Sequence, residues 1–292
     1  MSLIEKHALS PRRMIVGLIC TLVLSLPVGM VRQAQALTFV LDFVGVARID
    51  NFGVGTNVAN FAPYGFGLTL GQIQQATLAS IRTDYLGYPT VGTNALSPLQ
   101  SGKELHINFE LGTIGNAPGN GDAEYYYMAI GDNTTGDGFL GQACFGCVRN
   151  GGGGGPFTAN SGIVGSILTD NIATLAGLAS TDAERINLLA GTVSHEIGHT
   201  LFLDHPNGQQ PNPGASLFDL MASGAAPSNM PNDQRILDRA FSYNDFGILI
   251  AAVGTRDVSA VPEPAVLWLF GTGIVLLMGL RWRRVSSTPA AL

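Results

Sequence analysis

Hydrophobic and polar residues follow regular patterns in four stretches of the first half of the chain. Residues 37–49 are rich in β-branched and aromatic side chains and predict a first strand. Residues 69–86 carry apolar side chains at helical spacing and predict a helix. Residues 103–111 alternate in polarity and residues 124–130 are largely apolar, so each predicts a further strand.

Two more helices are predicted in the second half of the chain. Thr181 and Glu184 have the spacing of a capping box, so a helix should begin there and continue to about Leu201 with one apolar stripe buried. Residues 233–253 also have apolar side chains at helical spacing and predict a closing helix.

The first of these two helices ends in a group of histidines. In the segment His195-Glu196-Ile197-Gly198-His199, the two imidazoles are four residues apart and leave the same helix face, so both can bind one Zn²⁺. His205 can join them only if the helix ends and the chain turns back. Three neutral imidazoles would leave the fourth zinc position for water, and Glu196 is placed to act as general base on that water.

This segment resembles the metzincin clan of zinc endopeptidases, whose pattern is H-E-x-x-H-x-x-G-x-x-H followed by a Met-turn. The similarity is strongest to matrixin-like and serralysin-like sequences, in the segments HEIGHTL and LDHP. The resemblance implies that His195, His199 and His205 bind the metal and that Glu196 is the catalytic base.

The resemblance also extends to the Met-turn and departs from the clan at one position. The segment 219–223, DLMAS, is the candidate Met-turn, with Met221 beneath the metal. The glycine of the clan pattern falls on Phe202. That glycine often has a positive φ, and a bulky residue at this position strains the turn that carries His205.

A glutamate or an aspartate is the alternative to His205 as the third ligand. In a thermolysin-like site the third ligand is a downstream glutamate, but the only glutamate after His199 is Glu263, close to the end of the chain. An aspartate, Asp204 or Asp219, remains an alternative to His205.

The segment 131–143 carries two further candidate features. Its acidic loop contains Asp132, Asn133 and Asp137, whose oxygens are suitable ligands for Ca²⁺, with an ordinary polar turn as the alternative. Residues 139–143 resemble the matrixin edge strand above the cleft. Gln142 stands where those enzymes often have a histidine for a second zinc, so no second zinc is expected.

The beginning of the chain has the three parts of a secretory signal. Residues 1–36 combine a basic start, an apolar run from Met14 to Met30 and the small-residue site Ala34-Gln35-Ala36. A retained membrane anchor is the alternative, although the run is short and contains Pro27. Cleavage by signal peptidase would leave Leu37 as the first residue.

The end of the chain has a second export feature. Val261-Pro262-Glu263-Pro264 precedes an apolar run at residues 265–280, and the basic segment Arg281-Trp282-Arg283-Arg284 follows. A membrane anchor is one interpretation. The three-part tail, however, resembles the PEP-CTERM sorting signal of Gram-negative bacteria. That resemblance implies transient membrane insertion, processing by an exosortase, and delivery to the cell surface, the extracellular matrix or the medium.

The charge between these two segments is acidic. Residues 37–260 contain 8 Lys and Arg against 19 Asp and Glu, a formal charge near −11. Nucleic acids and anionic membranes are therefore disfavoured as partners.

Two of the three cysteines, Cys144 and Cys147, lie in this acidic region as C-x-x-C. In an exported protein the pair favours a local disulfide. A redox motif and a zinc knuckle are the alternatives.

The resemblance to the metzincins implies a metzincin-like zincin fold of class α+β, with a mixed twisted sheet, an active-site helix and a C-terminal helix. The predicted organisation is a signal peptide (1–36), a catalytic domain (37–258) and a sorting tail (259–292). We expect an exported zinc metalloendopeptidase acting on protein or peptide substrates. The alternative is a non-catalytic matrix or surface protein that retains a degenerate metalloprotease fold. Phe202 supports that alternative, and the presence of Glu196 argues against it.

Overall fold

The computed structural model describes residues 36–43, 45–50, 52–86, 102–113, 124–148, 162–206 and 218–258. These residues form a mixed α+β fold, as predicted. Its α-helices are α1 (Leu70–Leu86), α2 (Thr169–Ala173), α3 (Asp182–Thr200) and α4 (Tyr243–Val253). Its strands are β1 (Leu37–Phe43), β2 (Arg48–Ile49), β3 (Gly55–Asn57), β4 (Lys103–Leu105), β5 (Ile107–Leu111), β6 (Tyr125–Asn133), β7 (Gly141–Ala143), β8 (Ile163–Leu168) and β9 (Thr255–Asp257). Short 3₁₀ helices lie at Ala62–Tyr64, Ala176–Leu178 and Asn232–Ile236.

The centre of the main sheet is parallel. Strand β1 lies between β5 and β6, and β6 pairs on its other side with β8, all in the same direction. Residues 37–41 of β1 are at most 3% exposed, as expected for a strand that is covered on both faces. The short β3 pairs antiparallel with the end of β6, and β2 pairs with β3.

Strand β8 was not predicted from the sequence. Its segment, IVGSIL, is buried after the first residue and lies between β6 and β7. Strand β7 falls within the predicted edge segment 139–143 and runs antiparallel to β8. It also contacts α3, so this edge of the sheet lies beside the helix that carries the histidines.

Two predicted strands are shorter than expected. The strand predicted at residues 37–49 ends at Phe43, and the one predicted at residues 103–111 is interrupted at His106. The backbone NH of His106 donates to the carbonyl of Gly254. As a result, β4 pairs with β9, whereas β5 pairs with β1 in the main sheet.

Helices α1 and α3 pack against each other beside the sheet. The Tyr85 hydroxyl of α1 donates to the backbone carbonyl of Ser194 at 2.8 Å. The Ser194 hydroxyl in turn donates to Oδ2 of Asp84 at 2.5 Å. Both bonds join α1 to the residue that directly precedes the first histidine, so they fix the position of this part of α3.

Helix α3 begins at the predicted capping box. Oγ1 of Thr181 accepts a hydrogen bond from the NH of Glu184, and the Glu184 carboxylate accepts one from the NH of Thr181. Twelve of the 19 residues of α3 are buried. The helix therefore passes through the interior of the fold, and packing restrains most of its side chains.

The closing helix differs from the prediction. A single helix was predicted at residues 233–253, but only the 3₁₀ turn Asn232–Ile236 and helix α4 are present there. Ser242 caps α4, so the helix can begin only at the next residue. Between the two, the carbonyl of Ala240 accepts a hydrogen bond from the NH of Leu220, which ties this segment to the Met-containing turn instead of to a helix.

The two predicted export segments lie outside the described residues, except for Ala36. The predicted domain at residues 37–258 contains every helix and strand given above. No helix in the described part of the chain is long and apolar enough to cross a membrane.

Candidate metal centre

The end of α3 brings the three predicted histidines together. His195 and His199 lie about one turn apart on the helix, which ends at residue 200. Directly after it, the NH of Leu203 donates to the carbonyl of Gly198 at 3.0 Å, and the chain turns back. This turn places His205 beside the other two rings.

Phe202 lies within this turn, at the position where the metzincin pattern has glycine. Its φ is 73°, in the left-handed region, where a side chain costs about 1–2 kcal/mol. The ring lies over Gly146, so closely that a Cβ added there would be 2.3 Å from it. It also meets Phe145 edge-on, with 6.2 Å between ring centroids. The turn thus has the positive φ expected of glycine, and the Phe202 ring packs on Gly146 and Phe145.

The disulfide loop, residues 144–147, covers the C-terminal end of α3. Cys144 and Cys147 are joined by a disulfide within this loop. The NH of Gly146 donates to the carbonyl of His199 at 2.8 Å. Because the last carbonyls of a helix have no partner within the helix, this bond stabilises the helix end at the second histidine.

The three imidazole rings direct the same nitrogen toward one another. The Nε2–Nε2 distances are 3.1 Å for His195–His199, 3.1 Å for His195–His205 and 3.2 Å for His199–His205. Two nitrogens bound to one tetrahedral Zn²⁺, each at about 2.0–2.1 Å, lie about 3.3 Å apart. The spacing therefore fits zinc. Within the described residues, neither alternative ligand, Asp204 or Asp219, belongs to this group.

Backbone carbonyls determine which nitrogen of each helical histidine carries the proton. Nδ1 of His195 lies 3.1 Å from the carbonyl of Leu220, and Nδ1 of His199 lies 2.8 Å from that of Leu203. A carbonyl can only accept, so each Nδ1 is protonated and each Nε2 keeps a lone pair. Two lone pairs cannot hydrogen-bond to each other. The 3.1 Å spacing of these two nitrogens suits two ligands of one shared cation.

Burial keeps these rings neutral. It lowers the pKa of all three histidines, and the pKa of His195 and of His199 is lowered further by neighbouring imidazoles. Because a metal binds the neutral form of imidazole, the rings are already in the state that a metal requires near neutral pH.

The side chain of Glu196 lies beside the histidine cluster and is not one of its members. The residue is 7% exposed, and burial raises the pKa of its carboxyl to about 8, while the positive charge of Arg235 acts in the opposite direction. A Cβ added to Gly141 would lie 2.8 Å from Cγ of Glu196, so the glutamate lies against β7. The carboxyl also lines the cleft described below, where it can exchange a proton with a bound molecule.

Met221 packs directly against α3, next to the histidines. The side chain is fully buried, and a Cβ added to Gly198 would lie 2.5 Å from its Sδ. The NH of Met221 donates to Oδ1 of Asp219 at 2.6 Å, and the NH of Ser242 donates to Oδ2 at 3.0 Å. The Asp219 carboxyl therefore orders the turn that positions this methionine.

Arg239, which no sequence motif marks, supports the same turn. Its Nη1 donates to the carbonyl of Asp219 at 3.0 Å and to that of Leu220 at 3.3 Å. The Leu220 carbonyl also lies 3.1 Å from Nδ1 of His195. Arg239 and this candidate ligand therefore contact the same carbonyl oxygen. Burial lowers the pKa of Arg239 to about 10, and the group remains charged near neutral pH.

The candidate ligands and Glu196 line one open cleft of about 510 Å³. Residues 138–143, which include β7, form part of its lining, and residues 223–225 with Arg235 form another part. The cleft therefore brings the edge of the sheet, the histidine cluster and the segment after the Met-containing turn to one place.

The predicted calcium ligands do not line this cleft. Oδ1 of Asp132 accepts a hydrogen bond from the NH of Asn60 at 3.1 Å, and Oδ1 of Asn133 accepts one from the NH of Thr135 at 2.9 Å. A carboxylate oxygen of Asp137 accepts one from the Thr135 hydroxyl. These bonds build the turn, and a calcium site there stays a prediction.

Among solved structures, archaemetzincin from Methanopyrus kandleri is similar over 76% of this chain and 97% of its own, at 15% identity and a TM-score of 0.36. The GM1-bound form of the ECX AB5 holotoxin is similar over 81% of this chain and 88% of its own, at 15% identity and a TM-score of 0.32. Both scores are too low to assign a fold or an activity. No curated protein sequence matches the chain.

The C-terminal prediction is confirmed by comparison with known families. Residues 260–285 match the PEP-CTERM protein-sorting motif. This motif is recognised by an exosortase and occurs on proteins that are exported. The chain is therefore an exported protein with a PEP-CTERM sorting motif near its C-terminus.

Proposed function

We propose that the protein is an exported zinc metalloendopeptidase of the metzincin type. The observation that carries the proposal is the convergence of the Nε2 atoms of His195, His199 and His205, which lie 3.1–3.2 Å apart. Three imidazole ligands leave one position of a tetrahedral zinc open, which is typical of catalytic sites. The buried carboxyl of Glu196 beside them favours hydrolysis, because a purely structural zinc site has no use for it.

Zinc and Glu196 would divide the chemistry of peptide hydrolysis between them. Bound zinc would lower the pKa of a water molecule to about 7 and polarise the carbonyl of the scissile bond. Glu196 takes a proton from the attacking water and delivers it to the leaving amine nitrogen. Burial makes the ionised form of this carboxyl a stronger base than a solvated glutamate, in keeping with its raised pKa.

The edge of the sheet supplies a binding place for an extended peptide. Within the described residues, β7 pairs only with β8, and residues 138–143 line the cleft. A peptide can therefore add main-chain hydrogen bonds along this strand. Gly141 has no side chain between the strand and Glu196, so the peptide backbone can approach the proposed base closely.

Export and processing supply the setting for this activity. The PEP-CTERM motif supports processing by an exosortase near Pro262-Glu263-Pro264, and the Ala34-Gln35-Ala36 site supports an earlier cut by signal peptidase. The mature domain, residues 37–258, would then act at the cell surface, in the extracellular matrix or in the medium.

Metal analysis combined with casein hydrolysis tests the proposal. We expect about one zinc ion per chain, and activity that a chelator abolishes and added zinc restores. His199→Ala should lose both the metal and the activity. His106→Ala, which changes a histidine outside the cluster, should keep both. Protein that binds zinc but hydrolyses no peptide would favour the non-catalytic matrix protein instead.

A further inference from the structure

Arg235 lines the same cleft as Glu196 and His205 and has few polar contacts of its own. It is half-buried, and within the described residues its only side-chain hydrogen bond is a long one of 3.4 Å from Nε to Oδ1 of Asn232. Its Nη2 lies 3.0 Å from where a Cβ of Gly224 would be, so the absence of a side chain at residue 224 leaves room for the guanidinium. The charged end of Arg235 thus lies beside the proposed catalytic groups.

Other arginines of the described chain have partners that Arg235 lacks. Arg185 and Arg256 form ion pairs with carboxylates at 3.2 Å and 2.7 Å, and Arg239 donates to two backbone carbonyls. No carboxylate of the described residues forms an ion pair with Arg235. The nearby Glu196 carboxyl influences its charge without an ion pair between them. Burial without a partner is unfavourable for a guanidinium, as the lowering of the pKa of Arg235 by burial indicates.

We propose that Arg235 forms a carboxylate-binding subsite within the cleft and that it gives the proposed peptidase a preference for substrates with a carboxylate next to the scissile bond. This inference rests on the proposed function only in placing a peptide in the cleft. A guanidinium presents paired NH groups that match the two oxygens of a carboxylate. The carboxylate can belong to an Asp or Glu side chain or to the C-terminal end of a peptide.

Binding by a variant without the base separates recognition from hydrolysis. The protein is the zinc-loaded Glu196→Gln variant, and the probes are three pentapeptides with acetylated N-termini. One is Ala-Ala-Glu-Ala-Ala-amide, the second has Gln in place of Glu, and the third has Gln and a free C-terminal carboxylate. A hydrogen bond between charged groups corresponds to a factor of about 10–100 in affinity. We expect the Glu peptide or the free-carboxylate peptide to bind tighter than the neutral peptide by that factor, and the stronger of the two identifies the source.

Variants of Arg235 show whether the guanidinium causes the preference. Arg235→Gln should bind all three peptides alike, and Arg235→Lys should keep part of the preference because it keeps the charge. Arg185→Gln, a change at a half-buried arginine outside the cleft, should keep all of it. Zinc content serves as a check that each variant is folded.

Two results would overturn the subsite. Equal binding of the three peptides, including no binding of any, would show that no carboxylate is recognised. A preference that persists in Arg235→Gln would show that another group, such as the metal, binds the carboxylate. Hydrolysis of the same peptides by wild-type protein is measured separately. A binding preference without hydrolysis would contradict the peptidase and leave the subsite standing. Hydrolysis without a binding preference would contradict the subsite and leave the peptidase standing.

Discussion

Gly191 and Gly198 are both interior residues of α3 and offer a matched pair of substitutions. Alanine is favoured over glycine inside a helix by about 0.5–1 kcal/mol. A Cβ at position 191 would have no heavy atom closer than 3.4 Å, which is ordinary van der Waals contact. A Cβ at position 198 would lie 2.5 Å from Sδ of Met221. The same chemical change should therefore have opposite effects at the two positions.

The change in the free energy of unfolding caused by Gly198→Ala depends on whether the Met221 side chain can move. Its side chain has no exposed surface, so the sulfur can move only by displacing the core around it. Overpacking of this kind costs about 1–3 kcal/mol. After the gain in helix propensity, Gly198→Ala should lower the free energy of unfolding by about 0.5–2 kcal/mol. Gly191→Ala should raise it by about 0.5–1 kcal/mol.

Urea unfolding in the presence of a chelator measures both effects without a contribution from bound metal. A double-mutant cycle with Met221→Ala then isolates the contact. That substitution should cost about 2–5 kcal/mol by leaving a cavity. In its background Gly198→Ala should become stabilising, since the added methyl group enters the vacated space. The coupling energy should be about 1–3 kcal/mol.

Two outcomes would refute this reasoning. If both glycine substitutions stabilise the protein equally, the sulfur does not obstruct position 198. If the coupling energy is near zero, Met221 does not pack directly against the helix that carries the histidines.

Three further predictions concern a buried carboxyl, the turn after α3 and processing. Burial raises the pKa of Asp84 from 3.8 to about 8, so the folded state holds a proton that the unfolded state releases. As the pH rises between these values, the free energy of unfolding of wild-type protein, measured with urea, should fall by up to about 1.4 kcal/mol per pH unit relative to that of Asp84→Asn. Parallel pH profiles of the two proteins would contradict this. Phe202→Gly should relieve about 1–2 kcal/mol of strain but lose similar ring packing and add unfolded-state entropy, so it should lower stability slightly without tightening zinc binding in a competition assay. Tighter zinc binding by Phe202→Gly than by wild-type protein would show that strain at residue 202 weakens the site. Intact mass should give a mature chain near residues 37–262, and a mass that includes residues 265–284 would show a retained tail.

Features governed by local rules were predictable from the sequence. The capping box at Thr181 is a four-residue pattern, and the spacing of His195 and His199 determines their position on one helix face. The place of His205 depends on a reversal of only a few residues. These predictions needed no knowledge of distant parts of the chain.

Features that depend on long-range contacts were not predictable in the same way. The positive φ of Phe202 is accompanied by packing on Gly146, more than 50 residues earlier, and no single-sequence pattern marks that pair. The position of Arg239 against the Met-containing turn likewise arises only in the folded chain. Strand β8 did carry a signal, because the apolar run IVGSIL is typical of a buried parallel strand.

The central claim is that Glu196 is the base of a zinc-dependent hydrolysis and not a ligand of the metal. Zinc content and casein hydrolysis, measured in parallel on wild-type and Glu196→Gln protein, test it most directly. We expect both proteins to bind about one zinc ion per chain and the variant to hydrolyse casein about 10²–10⁴-fold more slowly. Loss of zinc from the variant would make Glu196 a ligand. Wild-type protein that binds zinc but hydrolyses casein no faster than the variant would contradict the catalytic role of Glu196.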